Sequence, residues 1–351
     1  MALPDPASWQ TARTAMETAF KSSLTTPWEL WTQADPLGSG VVLLVTLIFT
    51  VFILSLLTSN YSHVDRLWSL LPVFWVANYA RFLIGTHTID ARVMIMLACV
   101  IIWGARLTFN FWRKGGYELK SEDYRWAVLK EKLIPYGVWQ LFNFFFIALF
   151  QCVLIVLFSM PIDVAYRARG TPLNQCDYFA TVCFLGFVLV ESIADQQQWN
   201  FQTEKHDMLK KGEHLCGEFA HGFLHSGLFK YSRHPNFFSE ISIWWAFYLF
   251  SYAASEYIIN WTIAGPILLT LLFQGSTNFT EQISLSKYPT YALYQKSTSK
   301  LIPMWPGEPL LNHETNLKQL IKNNKEKYVS KKTIGSSKST KDQKKTSPKS
   351  K

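Results

Sequence analysis

The sequence predicts an all-α polytopic membrane protein of about seven transmembrane helices, and three observations carry that prediction. Seven long runs hold few charges. Hydrophobic residues make up 49% of the chain and aromatic residues 16%. Basic residues outside the runs fall mainly on one side of the implied bilayer. About 20 apolar residues in a helix cross the roughly 30 Å hydrocarbon core, so runs of this kind in a 351-residue chain point to a membrane domain rather than two soluble ones.

In order, the runs are 41–57, 67–84, 93–111, 138–158, 178–194, 237–252 and 258–273. The second contains Pro72 and Arg81 and the sixth is short, so tilt, a kink or a re-entrant path suits these two. No run resembles a secretory signal, because the first is too long and begins far from the N-terminus. Residues 1–40 read as a retained leader with a surface helix over 7–20. The membrane domain covers 41–311, and 312–351 reads as a disordered Lys/Ser-rich tail with too few apolar residues to fold alone.

With seven crossings, one side carries Arg66, then Arg113, Lys114, Lys120, Arg125, Lys130 and Lys132, then Lys205, Lys210, Lys211, Lys230 and Arg233, and finally the lysine-rich end. The other side carries Arg13, Lys21, Arg92, Arg167 and Arg169. That asymmetry places the C-terminus and the large polar loops in the cytosol. The net charge of +9 comes from the tail and suggests anionic lipid headgroups rather than nucleic acid. The five cysteines show no paired spacing, which argues against a disulfide framework. No internal repeat supports a transporter.

Polar residues at the ends of apolar runs are the functional candidates, because unpaired polar groups there are costly. Arg106 and Asn110 close the third run. Glu191 and Asp195 lie four apart at the end of the fifth, on one helix face. The densest cluster is Gly227-Leu-Phe-Lys-Tyr-Ser-Arg-His-Pro-Asn-Phe-Phe-Ser-Glu240, in which Arg233, His234, Asn236 and Glu240 precede or enter the sixth run. His214, Cys216, His221 and His225 have partial metal-ligand spacing, but no further histidine box accompanies them, so no metal is expected. Gly212, Gly217, Gly222 and Gly227 recur through that loop, whose backbone amides could approach a phosphate. Asp65 and Arg66 read as a local ion pair, and the tryptophans as interface belts or packing.

The 227–240 segment, the following Trp244-Trp245 and the later Tyr291-Ala-Leu-Tyr-Gln-Lys-Ser-Thr-Ser-Lys-Leu-Ile-Pro303 resemble the steroid 5α-reductase superfamily. Asp65-Arg-Leu-Trp-Ser69, Trp103-Gly-Ala-Arg-Leu-Thr-Phe-Asn110, Glu122-Asp-Tyr-Arg-Trp126 and the stretch from Glu191 to Gln197 resemble its branch known as domain of unknown function 1295. The resemblance implies a membrane oxidoreductase that uses NADPH to reduce a carbon–carbon double bond in a steroid, sterol or other lipid, with the endoplasmic reticulum as its expected location. It implies that Asn236 and Glu240 contact the nicotinamide end, with Asp195, Tyr294 and Arg233 also against the cofactor. Glu191 stands where the superfamily has Asn. Chemistry adds Arg106, Arg233 and Lys230 as candidates for phosphate, and Glu240, Asp195 and Glu281 as acceptors for ribose and amide groups. The Gln-Glu pair that grips a steroid carbonyl in the 5α-reductases has no match in the first 110 residues. Tyr61, Asp65 and Tyr79 are the nearest substitutes, with Tyr61 and Asp65 as the catalytic candidates. A membrane S-adenosylmethionine-dependent methyltransferase is the alternative enzyme, weakened because Thr280-Glu281-Gln282 stands where a Glu-Glu pair is usual. A non-catalytic lipid-binding protein is the alternative outside enzymes.

Overall fold

A computed structural model describes residues 35–85, 87–132, 136–288 and 290–307. The expected leader helix over 7–20 and the tail 312–351 lie outside the described residues. The described residues form helices and connecting turns without a strand, and they divide into two compact units. The first holds the described residues up to Gln196 together with Asn236–Ser276; the second holds Gln197–Pro235 and the described residues from Thr277 onward.

In the first unit, α1 (Pro36–Thr58) starts where Asp35 accepts a hydrogen bond from the Gly38 amide at 2.8 Å and proline takes the first helical position. Both are ordinary start signals. Next come α2 (His63–Leu67), α3 (Leu71–Gly85) and α4 (Ala91–Arg113), the last capped by Asp90 through the Val93 amide. After α5 (Tyr124–Lys132), the next long helix is assembled from α6 (Tyr136–Phe142), a π-helical segment (Asn143–Phe150) and α7 (Gln151–Ser159). The short α8 (Pro161–Arg167) leads to α9 (Gln175–Lys211), whose residues up to Gln196 belong to this unit. Nearly all of α11 (Pro235–Ser255) and the first half of α12 (Ala264–Lys287) complete it. In the second unit, α10 (Glu218–His221) lies between the end of α9 and the 227–240 segment, and α13 (Tyr291–Ser297) comes after α12.

Among the described residues, four helices are long and apolar enough to cross a membrane: Pro36–Thr58, Ala91–Arg113, Val138–Ser159 and Gln175–Lys211. The other three apolar runs fall mostly in helices, but α3 has only 15 residues, and α11 and α12 hold no stretch of membrane-spanning length as apolar as those of the four. α9 extends well past the apolar run at 178–194, because the glutamines and lysines after Ala194, with Glu204, are good helix formers.

The core of the first unit is aromatic. Trp75, Trp103, Trp139, Trp244, Phe158, Phe184, Phe247 and Phe250 are fully buried, so these tryptophans pack inside, whereas Trp112 stays exposed. Arg92 corrects its reading as a loop charge. It is buried against Asp177, with Nε to Oδ1 at 2.7 Å and Nη2 to Oδ2 at 2.9 Å, and also donates to Thr171 Oγ1 and the Pro172 carbonyl. This bidentate pair ties the start of α4 to the start of α9.

Helices without a hydrophobic force between them in lipid pack through small residues. At Gly265 an added Cβ would lie 2.4 Å from the Leu157 carbonyl oxygen and 2.4 Å from the Phe158 Cα. Those are backbone atoms and cannot rotate aside. Gly265→Ala is therefore expected to destabilise the protein by about 1–3 kcal/mol, read as a lower unfolding midpoint in detergent. An unchanged midpoint would show that α12 does not approach α7 this closely.

Candidate functional site

Three helices of the first unit each bring a polar pair spaced by four residues to one place. α4 supplies Arg106 and Asn110, α9 supplies Glu191 and Asp195, and α11 supplies Asn236 and Glu240. Side chains four apart share a helix face, so each helix needs only one facing orientation to deliver both groups.

Arg106 lies at the centre. Its Nη1 donates to Asp195 Oδ2 at 2.8 Å. Its Nη2 lies 2.9 Å from Glu191 Oε2 and 3.7 Å from Glu240 Oε2, ion-pair distances without hydrogen-bond alignment. Asn110 Nδ2 donates to the same Asp195 oxygen at 2.8 Å, and Asn236 Nδ2 donates to Asp195 Oδ1 at 3.4 Å. The Arg113 guanidinium donates to Asn110 Oδ1 and to the Asp195 carbonyl, which fixes the amide of Asn110 with its nitrogen toward Asp195. Arg106 is thus paired inside the protein and does not snorkel.

Glu240 is held from both sides by indole N–H groups, Trp103 Nε1 to Oε2 at 2.8 Å and Trp244 Nε1 to Oε1 at 3.1 Å. The two indoles stand nearly perpendicular at 4.9 Å, and Phe158 packs on Trp244 at 4.1 Å. These tryptophans are hydrogen-bond partners of Glu240, whereas the sequence offered them as interface belts or packing. The i, i+4 spacing of Glu240 and Trp244 could have flagged one of them; Trp103 is 137 residues away from Glu240 and gave no local signal.

Three carboxyl groups surround the Arg106 guanidinium, and that of Arg113 lies at the rim on Asn110 and the Asp195 carbonyl, a formal excess of one negative charge in a largely dry setting. Arg106 Nε makes no hydrogen bond there, and Arg106 Nη2 and Glu191 Oε2 meet through their 2.9 Å ion pair alone. Unmet hydrogen-bonding capacity at buried charged groups is costly. A ligand that brings donors, acceptors or a positive charge would relieve it, and an amide attached to a cationic ring meets all three needs.

The second unit contains a separate constellation. Arg233 donates to both oxygens of Glu281, through Nε at 2.6 Å and Nη2 at 3.1 Å. Its Nη1 donates to the carbonyls of Gln295 and Thr298. His234 Nε2 and Gln295 Nε2 also meet Glu281, at 3.0 and 2.7 Å. Burial by itself would raise the Glu281 carboxyl, but the bonds from His234, Arg233 and Gln295 outweigh it and hold its pKa at about 2. Tyr294 is buried, donates its hydroxyl to the Phe229 carbonyl, and has its pKa pushed up by burial.

Several of the expected site residues have partners within the protein. Arg106 and Arg233, read as phosphate ligands, direct their guanidinium groups at carboxylates and backbone carbonyls. Glu281 is the counter-ion of Arg233 rather than an open acceptor, and the Tyr294 hydroxyl is committed to backbone. In the glycine-rich loop the amides of His225 and Ser226 already donate to Glu218, and that of Leu228 to Gln197. Asp65 and Arg66 do not pair: Arg66 donates to the carbonyls of Gly116, Glu118 and Ser121, whereas Asp65 accepts from Trp126 Nε1 at 3.1 Å. Burial pushes the Asp65 carboxyl above its usual range. Tyr61 is buried edge-on against Trp139, and its hydroxyl accepts from Gln140 Nε2 at 3.4 Å. Neither Tyr61 nor Asp65 is among the partners of the Arg106 cluster. Tyr79 donates to Asp163 Oδ1 at 3.1 Å. Among the described residues, no group of three or more His, Cys, Asp or Glu side chains is arranged to hold a metal ion.

An all-helical protein with four membrane-length apolar helices and a buried charged cluster drawn from three of its helices is the class this fold and site define. The chain belongs to the family described as Protein of unknown function (DUF1295), which it matches over residues 51–298. All six paired residues around Arg106 fall within that match. The chain is also 34% identical over 308 residues to the Uncharacterized protein C594.04c of Schizosaccharomyces pombe, covering 83% of this chain and 87% of that relative. No solved structure matches.

Proposed function

We propose that this protein is an integral membrane oxidoreductase that binds the nicotinamide end of NADPH at the Arg106 cluster and reduces a carbon–carbon double bond in a steroid, sterol or other lipid. The observation that carries the reading is the convergence of Arg106/Asn110, Glu191/Asp195 and Asn236/Glu240, in which the two residues that resemble the superfamily's nicotinamide contacts, Asn236 and Glu240, meet around one arginine. Asp195 and Asn236 offer an acceptor and an amide to the carboxamide group. The excess negative charge suits a ring that becomes cationic when oxidised.

The bound cofactor supplies a hydride to one alkene carbon. The protein must position the ring and exclude water, which the buried Trp103 and Trp244 walls favour. It must also supply a proton to the neighbouring carbon, directly or by hydrogen bonding to a conjugated oxygen. Of the two acids expected for that role, Asp65 has its carboxyl pushed by burial toward the protonated form. Seven crossings, with a cytosolic C-terminus in the endoplasmic reticulum, remain the topology we favour, with α3, α11 and α12 completing the set. Cysteine accessibility on both faces of sealed vesicles tests it.

The same negative excess suits the sulfonium of S-adenosylmethionine, so a methyltransferase is the second reading. Titrating purified protein with NADPH by fluorescence, and separately with S-adenosylmethionine by calorimetry, distinguishes the two. Asn236→Ala and Glu240→Gln are expected to weaken NADPH binding at least about tenfold, a change of about 1.4 kcal/mol or more, while both variants stay folded with a cooperative unfolding transition. Unchanged affinity in both variants removes the assignment. Binding of the methyl donor without NADPH replaces it with the second reading.

A further inference from the structure

The first turn of the span Val138–Ser159 gathers hydrogen-bond donors that lack acceptors, all within the first unit. Ser55 of α1 donates its hydroxyl to the Phe52 carbonyl at 2.7 Å, so its oxygen accepts from Asn143 Nδ2, also at 2.7 Å. The same Nδ2 donates to Gln140 Oε1 at 3.2 Å. That contact turns Gln140 Nε2 toward Tyr61, whose hydroxyl oxygen accepts it at 3.4 Å. The Tyr61 oxygen is thus an acceptor within the protein, and its own hydrogen has no acceptor among the described residues.

Two more donors lie beside that ring. Trp139 is fully buried and meets Tyr61 edge-on at 5.0 Å, and its Nε1 makes no hydrogen bond. The half-buried Lys130 of α5 holds its Nζ 5.3 Å from the centre of the Tyr61 ring and 6.0 Å from that of Trp139. These are cation–π contacts, and among the described residues no carboxylate pairs with this ammonium. Glu122 Oε1 accepts from the Tyr61 amide at 2.7 Å, at the other end of the residue from the hydroxyl. Three donors without acceptors stand against one acceptor without a donor, Asn143 Oδ1. Unmet buried donors are costly, and the group that accepts from several donors at once is an oxyanion. Residues 139 and 140 open a membrane-length segment and so lie near head-group depth, while Val138, Leu141 and Phe145 of the same helix are exposed and offer an apolar face to a lipid chain. The π-helical segment begins at Asn143, and π geometry recurs at functional sites.

We propose that Tyr61, Lys130 and Trp139 bind the anionic head of a lipid, its carboxylate or phosphate oxygens accepting from all three, with the chain against the face of Val138, Leu141 and Phe145. The site stands whether or not the Arg106 cluster holds NADPH. The test follows the unfolding midpoint of the full chain in neutral detergent during titration with oleate, dioleoyl phosphatidate, oleyl alcohol or inorganic phosphate. Oleate or phosphatidate is expected to raise the midpoint saturably, whereas the alcohol, which lacks the anion, and inorganic phosphate, which lacks the chain, leave it unchanged. The apparent Kd for the lipid anion is expected to weaken at least about tenfold in Tyr61→Phe, which keeps the ring, and in Lys130→Gln, and to recover in Lys130→Arg. No shift with either lipid anion overturns the proposal, and so does an equal shift with oleyl alcohol or with inorganic phosphate. Unchanged lipid-anion affinity in both Tyr61→Phe and Lys130→Gln overturns it as well.

Discussion

Replacing Arg106 by methionine is expected to lower the stability of the detergent-solubilised protein by about 3–5 kcal/mol, because it leaves Glu191, Asp195 and Glu240 buried without their cation. Methionine preserves much of the arginine volume, so the loss reports charge rather than a cavity. Arg106→Met combined with Glu191→Leu is expected to recover part of the loss, since the second change removes one of the uncompensated carboxylates. The double-mutant cycle then gives a coupling energy that independent sites would not show. Equal unfolding midpoints for wild type and Arg106→Met would mean that the guanidinium does not neutralise the three acids. This measurement needs no cofactor and so tests the cluster apart from its proposed ligand.

The second large effect belongs to Glu281 and depends on pH. Its folded pKa of about 2 lies below the ordinary glutamate value of about 4.3, so the folded protein holds the ionised form more favourably than the unfolded chain does. The resulting stabilisation is fully present above about pH 4.3 and is lost as pH falls through about 2, in total about 3 kcal/mol. Comparing wild type with Glu281→Gln by chemical unfolding across that window isolates the group. The stability difference is expected to be largest above about pH 5 and to shrink by about that amount on approaching pH 2. A difference that stays constant over the window would show that the carboxylate charge is not what Arg233, His234 and Gln295 hold.

Much of the fold was legible because apolar length and helical period are local properties. The seven apolar runs all fall wholly or mostly in helices, and four of those helices are membrane-length. The three polar pairs could be found because i, i+4 spacing declares a shared face before any partner is known. Their convergence could not be read, since the hydrogen bonds that join them connect residues 41 to 89 positions apart. The same distance in sequence hid Arg233 and Glu281 from each other, 48 positions apart, and left both as free ligands on paper. A guanidinium beside an apolar run looks alike whether a phosphate or a carboxylate awaits it. Only the tertiary arrangement decides, and here it supplied carboxylates.

The π-helical stretch at Asn143–Phe150 lies between α6 and α7 and carries an angular consequence. A π turn takes in more residues than the 3.6 of an α turn, so the stretch changes the rotational phase of α7 relative to α6. Losing one residue from it would turn α7 by about 100° about its own axis. The side chains that Gln151, Cys152, Leu154 and Ile155 bury would then be presented elsewhere. Those eight residues therefore act as a spacer in angle, aligning two helical faces that a uniform α-helix of the same length would leave out of step.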